Sequence, residues 1–292
     1  MIDQQFCPSR DQSRRPDPPY DRWLAPAKNV IAEFYRITGG YLLRFPGEVD
    51  FEIFPGTEPG AAPDTTIVRR IPAPQADVGH LDSLYHNAVL PILGNYRGGL
   101  FLHGSAVTIN GAAVAFLGLS RSGKTTLAAA MAKRGHALLT EDVIELEVSS
   151  SGFQLQPKPT GLRLFSDSAA FLMGEDPVDE RANIKRSVSP AAGFAVATAP
   201  APLSSIYFLG QDRVAPLSIR HVGPSDALKE MLNHAFILDV EDKPRLKAHF
   251  GRMADLSEKI PCFALDYPRR YTELDAVLDA IVGVSLGRGK KS

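Results

Sequence analysis

The chain has 292 residues, 44% hydrophobic and 22% charged, with a formal net charge of -1. That is long enough for one large domain or two ordinary ones around a sizeable core, and the near-neutral balance excludes a global electrostatic pull toward nucleic acid or an anionic membrane. The two distant cysteines, Cys7 and Cys262, form neither a disulfide framework nor a metal cluster, and no apolar run approaches the roughly 18 to 20 residues that span a bilayer.

Residues 1–28 are polar and rich in proline, arginine and aspartate. With no apolar centre they do not read as a secretory signal, which points to a cytoplasmic protein. They are expected as a flexible leader, or an arm that packs only on a partner, because so little apolar surface does not offset ordering entropy. Residues 29–97 read as a small α+β domain. Runs at 30–37, 41–45, 49–54 and 65–71 have strand composition, and Val49, Phe51 and Ile53 alternate with Asp50 and Glu52 as in a half-buried strand. They predict a small antiparallel sheet. Residues 77–96 follow at helical spacing, with Pro91 set to kink or split the helix.

A second domain is expected over 98–292. Short apolar strands are expected at 100–102 and 112–117, with Asn110-Gly111 as the hairpin turn after a first arm that ends about residue 109. A helix at 125–133, a strand at 137–139 and a hairpin of 145–148 with 153–156 come next. Beyond these the pattern predicts helices at 167–173, 226–237, 246–260 and 273–282, strands at 203–209 and 262–265, and a frayed basic tail.

Residues 118–125 read Gly-Leu-Ser-Arg-Ser-Gly-Lys-Thr and match G-x-x-x-x-G-K-S/T in full, after an apolar strand and before a helix. Gly118 allows a tight turn, and Gly123 lets backbone N–H groups approach phosphate oxygens. The helix that follows turns its unpaired N–H groups and positive dipole end toward the anion. Lys124 neutralises β- and γ-phosphate charge, and the Thr125 hydroxyl is placed for Mg²⁺. The nucleotide-binding set is therefore Gly118, Ser120, Arg121, Ser122, Gly123, Lys124, Thr125 and Thr126, with ATP and Mg²⁺ as cofactors.

The helix ends near Gly135, and the chain re-enters the sheet at Leu139-Thr140-Glu141-Asp142. A right-handed crossover brings the two strands' carboxyl ends to one edge, so Glu141 and Asp142 are expected beside the phosphates. One carboxylate can hold Mg²⁺ while the other accepts a hydroxyl proton; taken alone, the pair equally suits an ordinary acidic strand end. His103, in Leu102-His103-Gly104-Ser105, ends a strand near the same edge.

These segments resemble the HPr kinase/phosphorylase-like serine kinases, and more closely their relatives that phosphorylate lasso-peptide precursors. The resemblance rests on LHGSAV at 102–107, GLSRSGKTTLAAAMAKRGHALLTEDV at 118–143 and GLRLFSD at 161–167. The acidic pair begins only 17 residues past Lys124. More loosely it includes YLLRFPGE at 41–48, Lys185-Arg186, and DYPRR at 266–270.

The resemblance implies an α/β P-loop kinase fold with a mixed sheet related to phosphoenolpyruvate carboxykinase. It also implies Glu141 as the base, Asp142 with Thr125 on the metal, and catalytic roles for His103 and Lys124. Two positions depart from the pattern. Glu141 stands where aspartate is usual and carries its carboxylate about 1.5 Å farther out, and Arg121 replaces a small residue. Lys185-Arg186 is the nearest candidate for the basic loop of bifunctional members. The expected activity is γ-phosphoryl transfer to a hydroxyl of a peptide or protein, a lasso-type precursor among them. A small-molecule kinase and a non-catalytic nucleotide-binding module remain the alternatives. No nucleic-acid or membrane partner is expected, and self-association is left open.

Overall fold

The computed structural model describes residues 1–25, 28–56, 65–150, 152–158, 162–176, 185–188 and 193–287, the side chains of Lys185 and Leu286 apart. The basic tail over 288–292 and Gly161 of the quoted GLRLFSD segment lie outside them. The chain divides into two compact units, Met1–Leu93 with Leu238–Val240, and Gly94–Ile237 with Glu241–Ser292.

The first unit is built on six strands: β1 (Ile2–Phe6), β2 (Asp21–Leu24), β3 (Val30–Ile37), β4 (Gly40–Phe45), β5 (Val49–Pro55) and β6 (Thr66–Pro72). Their order is β1-β6-β5-β4-β3-β2. All neighbours are antiparallel except β1 and β6. The expected leader is thus not free over its described residues, since Ile2–Phe6 and Asp21–Leu24 supply both edges of this sheet. Edge pairing satisfies their main-chain groups, and a few aromatic contacts supplement it, such as Trp23 on Phe34 with centroids 5.3 Å apart. Composition alone does not register either effect. Leu238–Val240 belongs here because Asp239 accepts from Arg36 at 2.6 Å and from the Tyr41 hydroxyl at 3.0 Å.

The helical stretch begins as α1 (Val78–Leu84), widens into one π-turn over Tyr85–Val89, and resumes as α2 (Leu90–Tyr96). The Leu90 N–H reaches back to Tyr85 O, five residues away. Pro91 explains the wide turn: it has no N–H to donate, and its ring would meet the carbonyl of the preceding turn.

The second unit begins with the hairpin of β7 (Leu100–Ile109) and β8 (Ala112–Leu117), joined through Asn110 (φ 52) and Gly111 (φ 79). Then follow α3 (Lys124–Lys133), β9 (Leu138–Thr140), β10 (Val143–Ser149), β11 (Gly152–Leu155), β12 (Leu162–Phe165), α4 (Ser166–Met173) and β13 (Lys185–Val188). The chain finishes with β14 (Ala201–Leu209), β15 (Ser218–Val222), α5 (Pro224–Leu232), α6 (Lys243–Lys259), β16 (Cys262–Asp266) and α7 (Leu274–Gly287).

The main sheet is mixed and runs β11-β10-β7-β8-β14-β16-β15, with β9 also on β7. Strands β8, β14 and β16 are parallel, so the loops leaving their carboxyl ends share one edge. The sheet is covered on both faces. Val114, Phe116, Tyr207, Phe263 and Leu265 pack with Leu127 and Met131 of α3 and Val277 and Ile281 of α7. The alternate residues Ala113, Ala115, Leu117, Ile206, Phe208 and Cys262 pack with Met231 of α5 and Met253 of α6.

Helix α5 stops at Leu232 rather than at 237. The Asn233 and His234 N–H groups fold back on Glu230 and Met231, and Ala235 then bridges to Leu102 of β7. Pairing with a buried strand there outweighs helix continuation.

Candidate active site

The phosphate-loop segment leaves β8 at Gly118. A methyl group at Gly118 would lie 2.6 Å from Ser122 Oγ and 3.0 Å from Leu209 Cβ, so the turn is tight as the motif requires. Arg121 (φ 66) and Gly123 (φ 98) are left-handed, and Gly123 is the N-cap of α3. The loop amides are thereby gathered at the positive end of that helix. Lys124 is buried, and its ammonium donates to Gly118 O at 2.7 Å and Leu119 O at 3.1 Å. It closes the loop over its own mouth.

The acidic pair interrupts one strand. β9 and β10 run along the same side of β7, with Thr140 opposite Ala106 and Val143 opposite His103. Between them Asp142 is left-handed (φ 64), a conformation that short polar side chains tolerate better than most. The Asp142 carbonyl accepts from the Gly104 N–H at 3.2 Å and binds His103 Nδ1 at 2.9 Å. A carbonyl only accepts, so Nδ1 carries a proton and Nε2 is the ring nitrogen left for other partners.

The kink sends the two acids apart. Asp142 lines a cavity of about 260 Å³ together with His103, Lys124 and Thr125. Glu141 is 2% exposed, and its Oε2 accepts the Arg163 N–H at 2.6 Å. It is not among the residues lining that cavity. The geometry therefore corrects the assignment of Glu141 as the base: its longer side chain anchors β12 instead, and Asp142 is the acid presented to the site.

Ser120, Arg121, Gly123 and Thr126 also line the cavity, whereas Gly118 and Ser122 pack behind the loop. The exposed Arg121 lays its guanidinium 5.3 Å from the centroid of the Phe165 ring. Arg186, by contrast, pairs with Glu175 at 2.8 Å on the surface and lies off the cavity.

Several cavity residues were given no site role by the sequence, although three of them fall in the DYPRR segment of the resemblance. Arg213 follows β14, while Tyr267, Arg269, Arg270 and Tyr271 follow β16. Arg269 donates to Tyr267 O and Gly210 O, both at 2.6 Å, and its guanidinium stacks 3.6 Å from the centroid of the Tyr267 ring. Burial pulls its pKa below the usual arginine range and pushes the Tyr267 phenol up to about 12. Burial also lowers His234 to about 3, helped by the nearby positive charges of His103 and Lys124.

Six cations, Arg121, Lys124, Arg163, Arg213, Arg269 and Arg270, thus face two carboxylates, Asp142 and Asp167. Such an excess suits a polyanion. Among the described residues no group of three or more His, Cys, Asp or Glu side chains could hold a metal alone. Thr125 and Asp142, both lining the cavity, nonetheless suit Mg²⁺, which takes few protein ligands.

No protein-family model and no curated protein sequence matches the chain. The solved structure of an Hpr(Ser) kinase/phosphatase from Coxiella burnetii is similar to it with a TM-score of 0.34 at 14% identity, over 65% of this chain and 98% of that one. Among the described residues no helix is long and apolar enough to cross a membrane.

Proposed function

We propose that the second unit is an ATP-dependent kinase that transfers the γ-phosphoryl group to a hydroxyl of a peptide or protein. The observation that carries this reading is the meeting of Asp142, His103, Lys124 and Thr125 around one cationic cavity at the phosphate loop. Phosphoryl transfer needs positioning and charge stabilisation more than covalent chemistry, and these residues supply both.

In this reading the N–H groups at the start of α3 donate to the phosphates, and the Lys124 ammonium leaves the loop carbonyls to take phosphate oxygens. Thr125 and Asp142 would hold Mg²⁺, which would supply charge compensation for the phosphates. Asp142 accepts the proton of the attacking hydroxyl. His103, fixed through Nδ1 to the Asp142 carbonyl, holds that bend of the strand and offers Nε2 to the acceptor. Arg269, carrying a desolvated charge beside Gly123, compensates charge on the transferring group.

Precursor peptides of the lasso type are the first acceptors to test, on the strength of the sequence resemblance. The test is incubation with Mg-ATP and candidate peptides, followed by mass spectrometry of the peptides. A gain of one phosphoryl mass that disappears with Asp142→Asn and persists with Glu141→Gln supports the reading. Loss with Glu141→Gln alone, or transfer only to small-molecule hydroxyls, contradicts it.

A further inference from the structure

The second carboxylate of the cavity has no role in the transfer just described. Asp167 lies in the first turn of α4, and its Oδ2 accepts the Tyr271 hydroxyl at 2.6 Å. Ser168 bonds that same phenol at 3.0 Å and Thr126 Oγ1 at 3.1 Å. Tyr271 is held from the other side by Phe171, stacked at 4.5 Å and 16°. The hydrogen-bonded chain therefore starts on α3 one residue past Thr125. It continues onto α4 and the turn before α7, elements that carry neither Asp142 nor His103.

An ionised carboxylate offers acceptors only, and phosphate oxygens offer it no donor. Among six cations it would weaken phosphate binding wherever it faced phosphate. Its place on the wall suits a part of the ligand that presents N–H or O–H groups. Beside it stand Phe165, with Arg121 across its ring, Tyr271 and Leu274, flat and apolar surfaces of the kind that cover a base.

Resting on the kinase reading, we infer that the part of the cavity built by Asp167 and Tyr271 is the nucleoside subsite, and that Asp167 Oδ1 accepts a hydrogen bond from a ribose hydroxyl of the nucleotide. Selection among nucleotides then acts on the sugar. Tyr271 is a positioning residue that fixes the carboxylate while its ring walls the base.

The test is calorimetric titration with ATP, 2′-deoxy-ATP, 3′-deoxy-ATP, ITP and tripolyphosphate, each with Mg²⁺. The wild-type protein should bind at least one deoxynucleotide about tenfold or more weaker than ATP, the size of a lost hydrogen bond to a charged group. Asp167→Ala should bring ATP and the deoxynucleotides within about twofold, with tripolyphosphate bound as well as before or better. Asp167→Asn, which keeps one acceptor oxygen, should be intermediate, and Tyr271→Phe should lose part of the discrimination without a large change in melting temperature. Equal binding of ATP and both deoxynucleotides by the wild type overturns the inference alone, as does sugar discrimination that survives Asp167→Ala. So does an ATP-over-ITP preference that Asp167→Ala abolishes, since the carboxylate would then read the base. Failure of ATP and tripolyphosphate to bind at all overturns the kinase reading with it.

Discussion

Gly123→Ala should destabilise the second unit by an amount that can be separated into two causes. The position has φ 98, which costs an L-residue about 1–2 kcal/mol. The added methyl would also sit 2.4 Å from the Tyr267 hydroxyl. That ring cannot retreat easily, because it is 4% exposed and lies under the Arg269 guanidinium. Overlap of this kind costs about 1–3 kcal/mol. Together the terms predict a loss of about 2–5 kcal/mol, or roughly 5–15 °C in melting temperature for a unit of this size. The next Tyr267 atom, Cζ, is 3.6 Å from the new methyl, an ordinary contact. Tyr267→Phe in the Gly123→Ala background should therefore recover the overlap term and leave the backbone term. Differential scanning calorimetry on the four proteins of this cycle reads both. An unchanged transition in Gly123→Ala, or no recovery in the double variant, would refute the packing described for this loop.

Arg269→Ala should raise the Kd for Mg-ATP about tenfold or more in a titration, because it removes a desolvated cation beside the loop; an unchanged Kd would place it outside the phosphate site. Asp50 and Arg44 form a buried bidentate pair in the first unit, at 2.8 and 2.7 Å. Asp50→Ala should cost about 3–5 kcal/mol in a denaturant melt, and replacing both partners with apolar residues should cost much less. Burial holds His234 neutral down to about pH 3 in the folded chain, while the unfolded chain takes up its proton near pH 6.5. The unfolded state thus binds more protons below that pH, and stability falls as pH drops, by up to about 1.4 kcal/mol per unit. Urea midpoints from pH 7 to 4 should fall less steeply in His234→Asn, and parallel slopes would contradict this.

The phosphate loop was legible because its chemistry is local: two glycines, a lysine and a hydroxyl at fixed spacing between a strand and a helix. The crossover rule likewise brought the chain back to the loop's edge of the sheet, where Asp142 but not Glu141 lines the cavity. β8 and β9 lie on opposite sides of β7, both antiparallel to it, so their carboxyl ends agree although they are not neighbours. Which acid faces inward was not legible. It depends on one left-handed residue, Asp142, and on a hydrogen bond from Glu141 to a backbone 22 positions away. Arg213 carried no signal, and DYPRR was quoted for its resemblance without a site role, since only the parallel order β8-β14-β16 brings both loops to the cavity. The rule that ligands gather at strand carboxyl ends would have flagged DYPRR as a site segment had that order been known. Strands β1 and β2 escaped notice because edge strands are held by main-chain bonds, which leave little mark in composition.

The central claim is that the loop at the start of α3 grips a triphosphate through Lys124. Titration of the wild-type protein and of Lys124→Ala with Mg-ATP tests it most directly. Binding that weakens about a hundredfold in the variant, measured at a temperature where calorimetry shows the variant folded, is the predicted result. Equal affinity in the two proteins would contradict the account.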